Sequence, residues 1–460
     1  MTSLTVVTVA VVVYGVLNRR GYGRALALGG ATPVGAAVVV GAVAVPTFYA
    51  VAIGALVGVG LRLLQGGGRD GRDRVPVPGS RALVLLVVVG VLVTLVAPLL
   101  FDGLEVEGPS GLDEYLVAGV VTKSNIAQIV YLVLSVGVVA YLARSRWTGP
   151  QIVGTATCLA TLLSFGAYLH TTAGLPFPEG FFDNSPNFAF IQTLPGGAPR
   201  VRGIFSEPSG LAASCLVTLA YCCSRLHQVM GIRRVGLVAT AGIALYLGAI
   251  STSTSFLVAG MALLAVAACV ATLSFVLRRG AVSRVAVTWL CAAALAALWV
   301  LPTVANFVGQ QLADKVTSSS YAERSNADSE SYRVLLDTFG LGTGLGSNRG
   351  SSFISTLLST VGVVGALLFA SAVVVLVRRS WPARHSRPAA WALITLLLCK
   401  VVSGPDLSDS GGVLWLSLGV LAHAALRLET VRRPGVVATA GGATPRAGVS
   451  GPARQALPSS

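Results

Sequence analysis

The sequence predicts an all-α, polytopic integral membrane protein, and three observations predict it. Of 460 residues, 54% are hydrophobic and only 11% charged, against about 25% charged in a soluble globular chain. Apolar runs recur at about the 20-residue length needed to cross a hydrocarbon core. Lys and Arg collect in short clusters between those runs rather than on one soluble face, so the net charge of +15 is not a nucleic-acid footprint. The mean hydropathy of +0.77 agrees. The seven cysteines all lie in apolar stretches without a CxxC pair, which excludes a disulfide scaffold.

Taken in order, the apolar runs predict spans near 4–17, 25–43, 46–64, 82–100, 124–143, 150–170, 208–225, 235–250, 255–277, 285–303, 351–377, 389–404 and 411–426. That is about 12–13 transmembrane helices. The first three are the least sharply bounded, with Pro46 the one break between Ala25 and Leu61. The amino terminus does not read as a cleaved signal peptide, since Arg19 and Arg20 follow its apolar run and no basic residue precedes it.

Placing basic loops in the cytoplasm fixes the orientation. The loops around Arg19, Arg69, Arg144, Arg233, Arg278 and Arg378, with the tail after Arg427, hold 25 of the 33 Lys and Arg and three of the 18 acids. The opposite side holds seven basic residues and 15 acids, with Lys400 inside a span. Residues 1–433 thus form a single transmembrane domain with long outer loops at about 171–207 and 304–350. Residues 434–460, rich in Ala, Gly and Pro, read as a disordered cytoplasmic tail.

Long loops in a compact protein carry function or are disordered. In the first, Phe177, Phe181, Phe182, Phe188 and Phe190 alternate with prolines, which suits either a segment lying in the membrane interface or a loop packed on helix ends. The outer basic residues, Lys123, Arg200, Arg202, Lys315, Arg324, Arg333 and Arg349, are the exceptions to the insertion rule. Five are arginine, whose planar fork grips carboxylate or phosphate oxygens. Either they hold an anionic ligand or they pair with Glu207, Glu323, Asp328, Glu330 and Asp337.

Two stretches concentrate these residues. In Arg200-Val-Arg-Gly-Ile-Phe-Ser-Glu-Pro-Ser-Gly, Pro208 opens a helix whose free N–H groups lie near Arg202, and together they make an anion site. Glu207 is either a partner of Arg202 or a general base for a sugar hydroxyl. In the second stretch Gly340, Gly342, Gly344 and Gly346 alternate before Ser347, Asn348 and Arg349. Such a backbone turns tightly or approaches a ligand, and Arg333 and Arg349 flanking it suggest a phosphate cradle. Lys400 within its span is either functional or snorkels to pair with Asp406. His170, at an outer helix end, could serve as an acid or base.

At these residues the chain resembles the bacterial O-antigen polymerase and O-antigen ligase superfamily. The resemblance rests on Arg202-Gly-Ile-Phe-Ser-Glu-Pro-Ser-Gly-Leu-Ala, on Ser251-Thr-Ser-Thr-Ser-Phe-Leu-Val-Ala, and on Gly342-Thr-Gly-Leu-Gly-Ser-Asn-Arg-Gly-Ser-Ser followed by Gly362-Val-Val-Gly. It covers about residues 120 to 380. It implies a helical, GT-C-like membrane glycosyltransferase architecture in the bacterial cytoplasmic membrane, with a cytoplasmic carboxyl terminus. It further implies transfer of a glycan from a polyprenyl-diphosphate-linked oligosaccharide to an acceptor hydroxyl at the outer face, with no cofactor and no metal. Arg202, Glu207, Arg333 and Arg349 are then the expected catalytic residues, with Arg200, Arg324, Gly344, Gly346, Ser347 and Asn348 binding substrate. Expected partners are membrane lipid and a chain-length regulator or other envelope-assembly proteins, and no nucleic acid. Two departures matter. The segment at Ser251 lacks the arginine the family often carries, and no histidine lies between residues 304 and 350. The latter favours polymerase over ligase.

Three rival classes share parts of this pattern. A flippase or exporter of lipid-linked glycan would need a charged path through the bilayer, and Lys400 is nearly alone there. A metal-dependent polyprenyl-sugar transferase would carry paired acids in its first outer loop, whereas Asp102, Glu105, Glu107, Asp113 and Glu114 follow the fourth predicted span. A cell-wall glycan polymerase of the shape, elongation and division class has the same topology and substrate.

Overall fold

The computed structural model describes residues 2–18, 22–41, 43–64, 75–108, 111–186, 201–277, 319–404, 406–407 and 411–432. The predicted span at 285–303, the tail at 434–460, Arg200 and Lys315 lie outside these residues.

The described chain is mainly helical. Its helices are α1 (Ser3–Leu17), α2 (Tyr22–Gly30), α3 (Thr47–Leu64), α4 (Ser80–Leu100), α5 (Lys123–Arg144), α6 (Gln151–Ala173) and α7 (Pro208–Leu226). They continue as α8 (Ile232–Ile250), α9 (Thr254–Leu277), α10 (Ser319–Asp337), α11 (Phe353–Ser380), α12 (Arg387–Val402) and α13 (Val413–Arg432). Two antiparallel hairpins interrupt them, β1 (Ala37–Val40) with β2 (Val43–Pro46), and β3 (Glu105–Glu107) with β4 (Asp113–Tyr115).

Eight of the described helices are long and apolar enough to cross a membrane: α4 to α9, α11 and α13. The chain is therefore a multi-pass membrane protein, with fewer full-length crossings among the described residues than the 12–13 predicted. Helix α1 has 15 residues and α12 has 16.

The predicted span at 25–43 is corrected. Helix α2 stops at Gly30, Pro33 follows, and Ala37 to Pro46 form the β1–β2 hairpin. Hydropathy does not distinguish an apolar helix from a valine-rich strand, and β-branched residues favour the strand. Strand edges beside lipid are tolerated only where protein satisfies the backbone. Here Asn184 does so: its Oδ1 accepts from the Ala37 N–H at 2.9 Å and its Nδ2 donates to the Ala37 carbonyl at 2.7 Å. The Thr5 hydroxyl accepts from the Val39 N–H at 3.1 Å.

Local sequence sets the helix ends. Thr122 and Asn125 form a reciprocal capping box at the start of α5. Pro208 occupies the first turn of α7, where no N–H is required. Ser352 caps α11 by accepting from the Ser355 N–H.

Packing is graded from the centre outward. Helix α13 is 72% buried over its apolar window, and Trp415 on it is fully enclosed. Helices α2 to α6, α11 and α12 contribute to the same core. Helix α9 is buried over only 6% of its window. A helix apolar on every side therefore occurs at both extremes, enclosed by protein or facing lipid.

The connections sort by charge into two ends. At one, the Gln228 amide donates to the Arg384 carbonyl at 2.7 Å, Arg379 pairs with Glu429, and Arg427 lies against Arg146. At the other, β3 packs against α10, a polar helix inside the second long loop that carries Glu323, Asp328, Glu330 and Asp337.

Candidate functional site

Helix α11 is broken at Gly362, which has φ +69° and ψ −176°. The break leaves carbonyls without helical partners. The glycine-rich loop supplies them: the N–H groups of Thr343 and Gly344 donate to the Ser359 and Thr360 carbonyls at 2.8 and 2.9 Å, and Val363 N–H donates to Gly340. A Cβ on Gly342, at φ +84°, would lie 2.7 Å from the Thr360 carbonyl oxygen. The alternating glycines thus serve a close approach of the loop to the broken helix.

The predicted substrate-binding residues of this loop lie inside the knot. A Cβ on Gly344 would meet the Thr94 backbone of α4 at 2.7 Å, and one on Gly346 would meet Ser124 of α5 at 2.8 Å. Ser347 accepts from the Asn125 amide at 2.8 Å. Asn348 is 2% exposed and donates to Ser331 and Ser359 at 2.9 and 2.8 Å. The N–H groups of Gly342, Thr343, Gly344, Leu345, Ser347 and Arg349 all donate within the protein. A phosphate cradle built from these amides is therefore not formed, because the same groups satisfy the helix break and neighbouring turns. Ser347 and Asn348 position the loop.

What the loop does present is Arg349. Its N–H donates to the Glu107 carbonyl at 2.9 Å, and Asn348 Oδ1 accepts from the Glu107 N–H at 3.1 Å. Residues 348 and 349 thereby clasp β3 and set the Arg349 guanidinium beside the half-buried Glu107 carboxyl. Burial pushes that carboxyl above its usual 4.5, the guanidinium of Arg349 opposes the rise, and the carboxylates of Asp113, Asp328 and Glu330 add to it. A carboxyl so placed is a candidate proton acceptor beside a fixed cation.

Arg333 of α10 is half exposed and shared among Glu330 at 3.1 Å, Glu105 at 3.5 Å and Asp337 at 3.9 Å. Arg324, also on α10, is partly buried. Asp328 joins α10 to α11 by accepting from the N–H groups of Ser351 and Ser352 at 2.8 and 2.9 Å.

Arg202 lies in a different packing group. Its guanidinium donates to Asp183 at 2.8 Å and to the Phe205 carbonyl at 2.9 Å. Glu207, which the sequence reads as either a partner of Arg202 or a general base, accepts from the Ser209 hydroxyl at 2.9 Å at the start of α7. Gly203, at φ +58°, turns the chain against Ser164 of α6 and carries Arg202 toward the aromatic loop. There Phe182 packs with Leu4, Ala36 and Ile204, so the described part of that loop is packed on helix ends. Ser251 and Ser253 are buried in the α8–α9 turn.

His170 is engaged at both ring nitrogens, by the Leu175 carbonyl at 2.6 Å and Glu179 at 2.9 Å. Lys400 does not snorkel to solvent. It is 3% exposed, with its ammonium 5.3 Å from the centre of the Phe353 ring. Among the described residues, no group of three or more His, Cys, Asp or Glu side chains is arranged to hold a metal ion.

Glu107 is the residue that the sequence singled out only as one acid among five. Its signal was its position after a transmembrane run, without any indication of a partner 242 residues later. Comparison of the chain with protein-family models and with curated proteins finds no match.

Proposed function

We propose that this chain is a polysaccharide polymerase of GT-C-like architecture. It transfers a glycan from a polyprenyl diphosphate carrier to a sugar hydroxyl of a second lipid-linked glycan, at the outer face of the bacterial cytoplasmic membrane. The acid-rich end faces outward and the basic end, with the carboxyl terminus, faces the cytoplasm, as insertion bias requires.

What supports this function is the meeting of Arg349 with Glu107. The glycosidic bond to the diphosphate breaks with its electron pair leaving on phosphate oxygen, and a fixed guanidinium is aimed at that growing charge. The acceptor hydroxyl forms the new bond and gives its proton to the Glu107 carboxylate. A carboxyl raised above its ordinary range is a stronger base than a solvated one. Arg202, held in place by Asp183, is a further cation on this side of the membrane and meets the carrier from the aromatic loop.

The test is purified protein in liposomes with a lipid-linked oligosaccharide. Wild type lengthens the glycan, whereas Glu107→Gln and Arg349→Gln insert normally and lengthen it at least about a hundredfold more slowly. Unchanged chain growth in both variants overturns the assignment. Movement of the lipid across the bilayer without lengthening makes the protein a flippase instead.

A further inference from the structure

We propose that the second outer loop is re-entrant, and that Tyr332, Leu336, Phe339 and Leu341 form a wedge whose partner is the lipid hydrocarbon of the outer leaflet. Tyr332, Leu336 and Phe339 recur at helical spacing along α10 and its end. Leu336 is 74% exposed and Phe339 88%. Helix α10 closes in a Schellman turn, in which the Gly340 N–H donates to the Leu335 carbonyl at 2.8 Å and the Phe339 N–H to the Leu336 carbonyl at 2.9 Å. That turn holds Phe339 at φ +51°, in the left-handed position that glycine ordinarily fills. A large aromatic residue strained in this way touches almost no protein, so what rewards it lies outside the chain.

Depth follows from the helices that hold the loop. The Leu345 N–H donates to the Thr94 hydroxyl of α4 at 2.9 Å, and the Val363 N–H of α11 donates to the Gly340 carbonyl at 2.9 Å. Thr94 lies 13 residues beyond Arg81, and Gly362 lies 16 before Arg378. A rise of about 1.5 Å per residue puts the loop roughly 20–24 Å from these basic helix ends. A hydrocarbon core is about 30 Å thick, so the loop is inside the outer leaflet. Its backbone suits that depth. Every N–H from Thr338 through Leu345 donates within the protein, as non-helical backbone at membrane depth requires. Beside Gly340, the α11 side chains Val363, Val364 and Leu367 are exposed, and the wedge continues this lipid-facing surface. The adjoining charged row of Glu330, Arg333 and Asp337 then marks the headgroup level, since charge is costly any deeper.

The full-length wild-type protein is placed in nanodiscs of phosphatidylethanolamine and phosphatidylglycerol and footprinted twice. Hydroxyl radicals attack from the water, carbenes from a lipophilic diazirine attack from the lipid, and modified residues are read by mass spectrometry. Tyr115 of β4, exposed at the acid-rich end, reports the water, and Leu264 of α9, exposed in mid-span, reports the lipid. Phe339 and Leu336 take the carbene as Leu264 does, and Phe339 loses hydroxyl-radical modification relative to Tyr115. Hydroxyl-radical modification of Phe339 at the level of Tyr115 makes the loop aqueous and overturns the wedge. Protection of Phe339 from both reagents means that a second copy of the chain or another protein covers it, and overturns lipid as the partner. Neither outcome depends on whether the chain transfers glycan.

Discussion

The Gly344 N–H donates to the Thr360 carbonyl across 2.9 Å, tying the glycine-rich loop to the break in α11. This contact converts a sequence pattern that resembles a phosphate loop into a structural splice. Discontinuous membrane helices persist only where other protein groups satisfy the freed backbone. The splice also fixes the position of Arg349, five residues further on.

Gly342→Ala should therefore unfold the splice. Its Cβ would lie 2.7 Å from the Thr360 oxygen at φ +84°, and neither backbone can yield cheaply. A loss of at least about 2 kcal/mol is expected. Gly180→Ala, at φ +67° with nothing within 4 Å, should cost about 1 kcal/mol from backbone strain alone. Thermal unfolding in detergent compares the two, and equal losses would refute the splice.

Asn184 carries a second prediction. Replacing it by Ala strips both partners from the Ala37 backbone, at an expected cost of about 2 kcal/mol. Asn184→Leu restores the volume without the amide and should not rescue stability. Rescue by Leu would show that packing, rather than the strand edge, is what Asn184 provides.

The Arg202–Asp183 pair separates structure from chemistry by a charge swap. If Arg202 only holds the loop, Arg202→Asp with Asp183→Arg restores both folding and chain growth. The proposed function expects folding to recover and chain growth to stay at least about tenfold down, because the cation no longer sits where the diphosphate is met. Recovery of both removes Arg202 from the site.

The Glu107 carboxyl gives a pH prediction whose sign follows from its shift. Its protonation is favoured above the usual 4.5, and a base must be ionised. The acid limb of chain growth should then lie above 4.5. Arg349 lowers this pKa, so Arg349→Gln should move the limb to higher pH as well as reduce the rate, by about a hundredfold or more. The fold binds this proton more tightly than the unfolded chain does, so Glu107 contributes more to stability as pH falls through its raised pKa. An acid limb unmoved by Arg349→Gln would detach the two residues.

Helices α4 to α9 are legible in the sequence because one hydropathy ruler suffices for a membrane span. The run at 25–43 is not, since the same ruler reads the Val38 to Val45 strands as helix. Within the candidate site, Arg349 stands out as an exception to the insertion rule. Its partner does not, because Glu107 and Arg349 meet only after α4, α5, α10 and α11 have packed. Arg202 shows the same limit on a smaller scale: Glu207 is nearer in sequence, but Asp183 is nearer in space.

The most direct measurement is incubation of the purified protein with a lipid-linked oligosaccharide, scored for glycan length and for released polyprenyl diphosphate. The account predicts one carrier released for each repeat added by wild type, and both products formed at least about a hundredfold more slowly by Arg349→Gln. Carrier release without lengthening, or lengthening that survives loss of both Glu107 and Arg349, would contradict it.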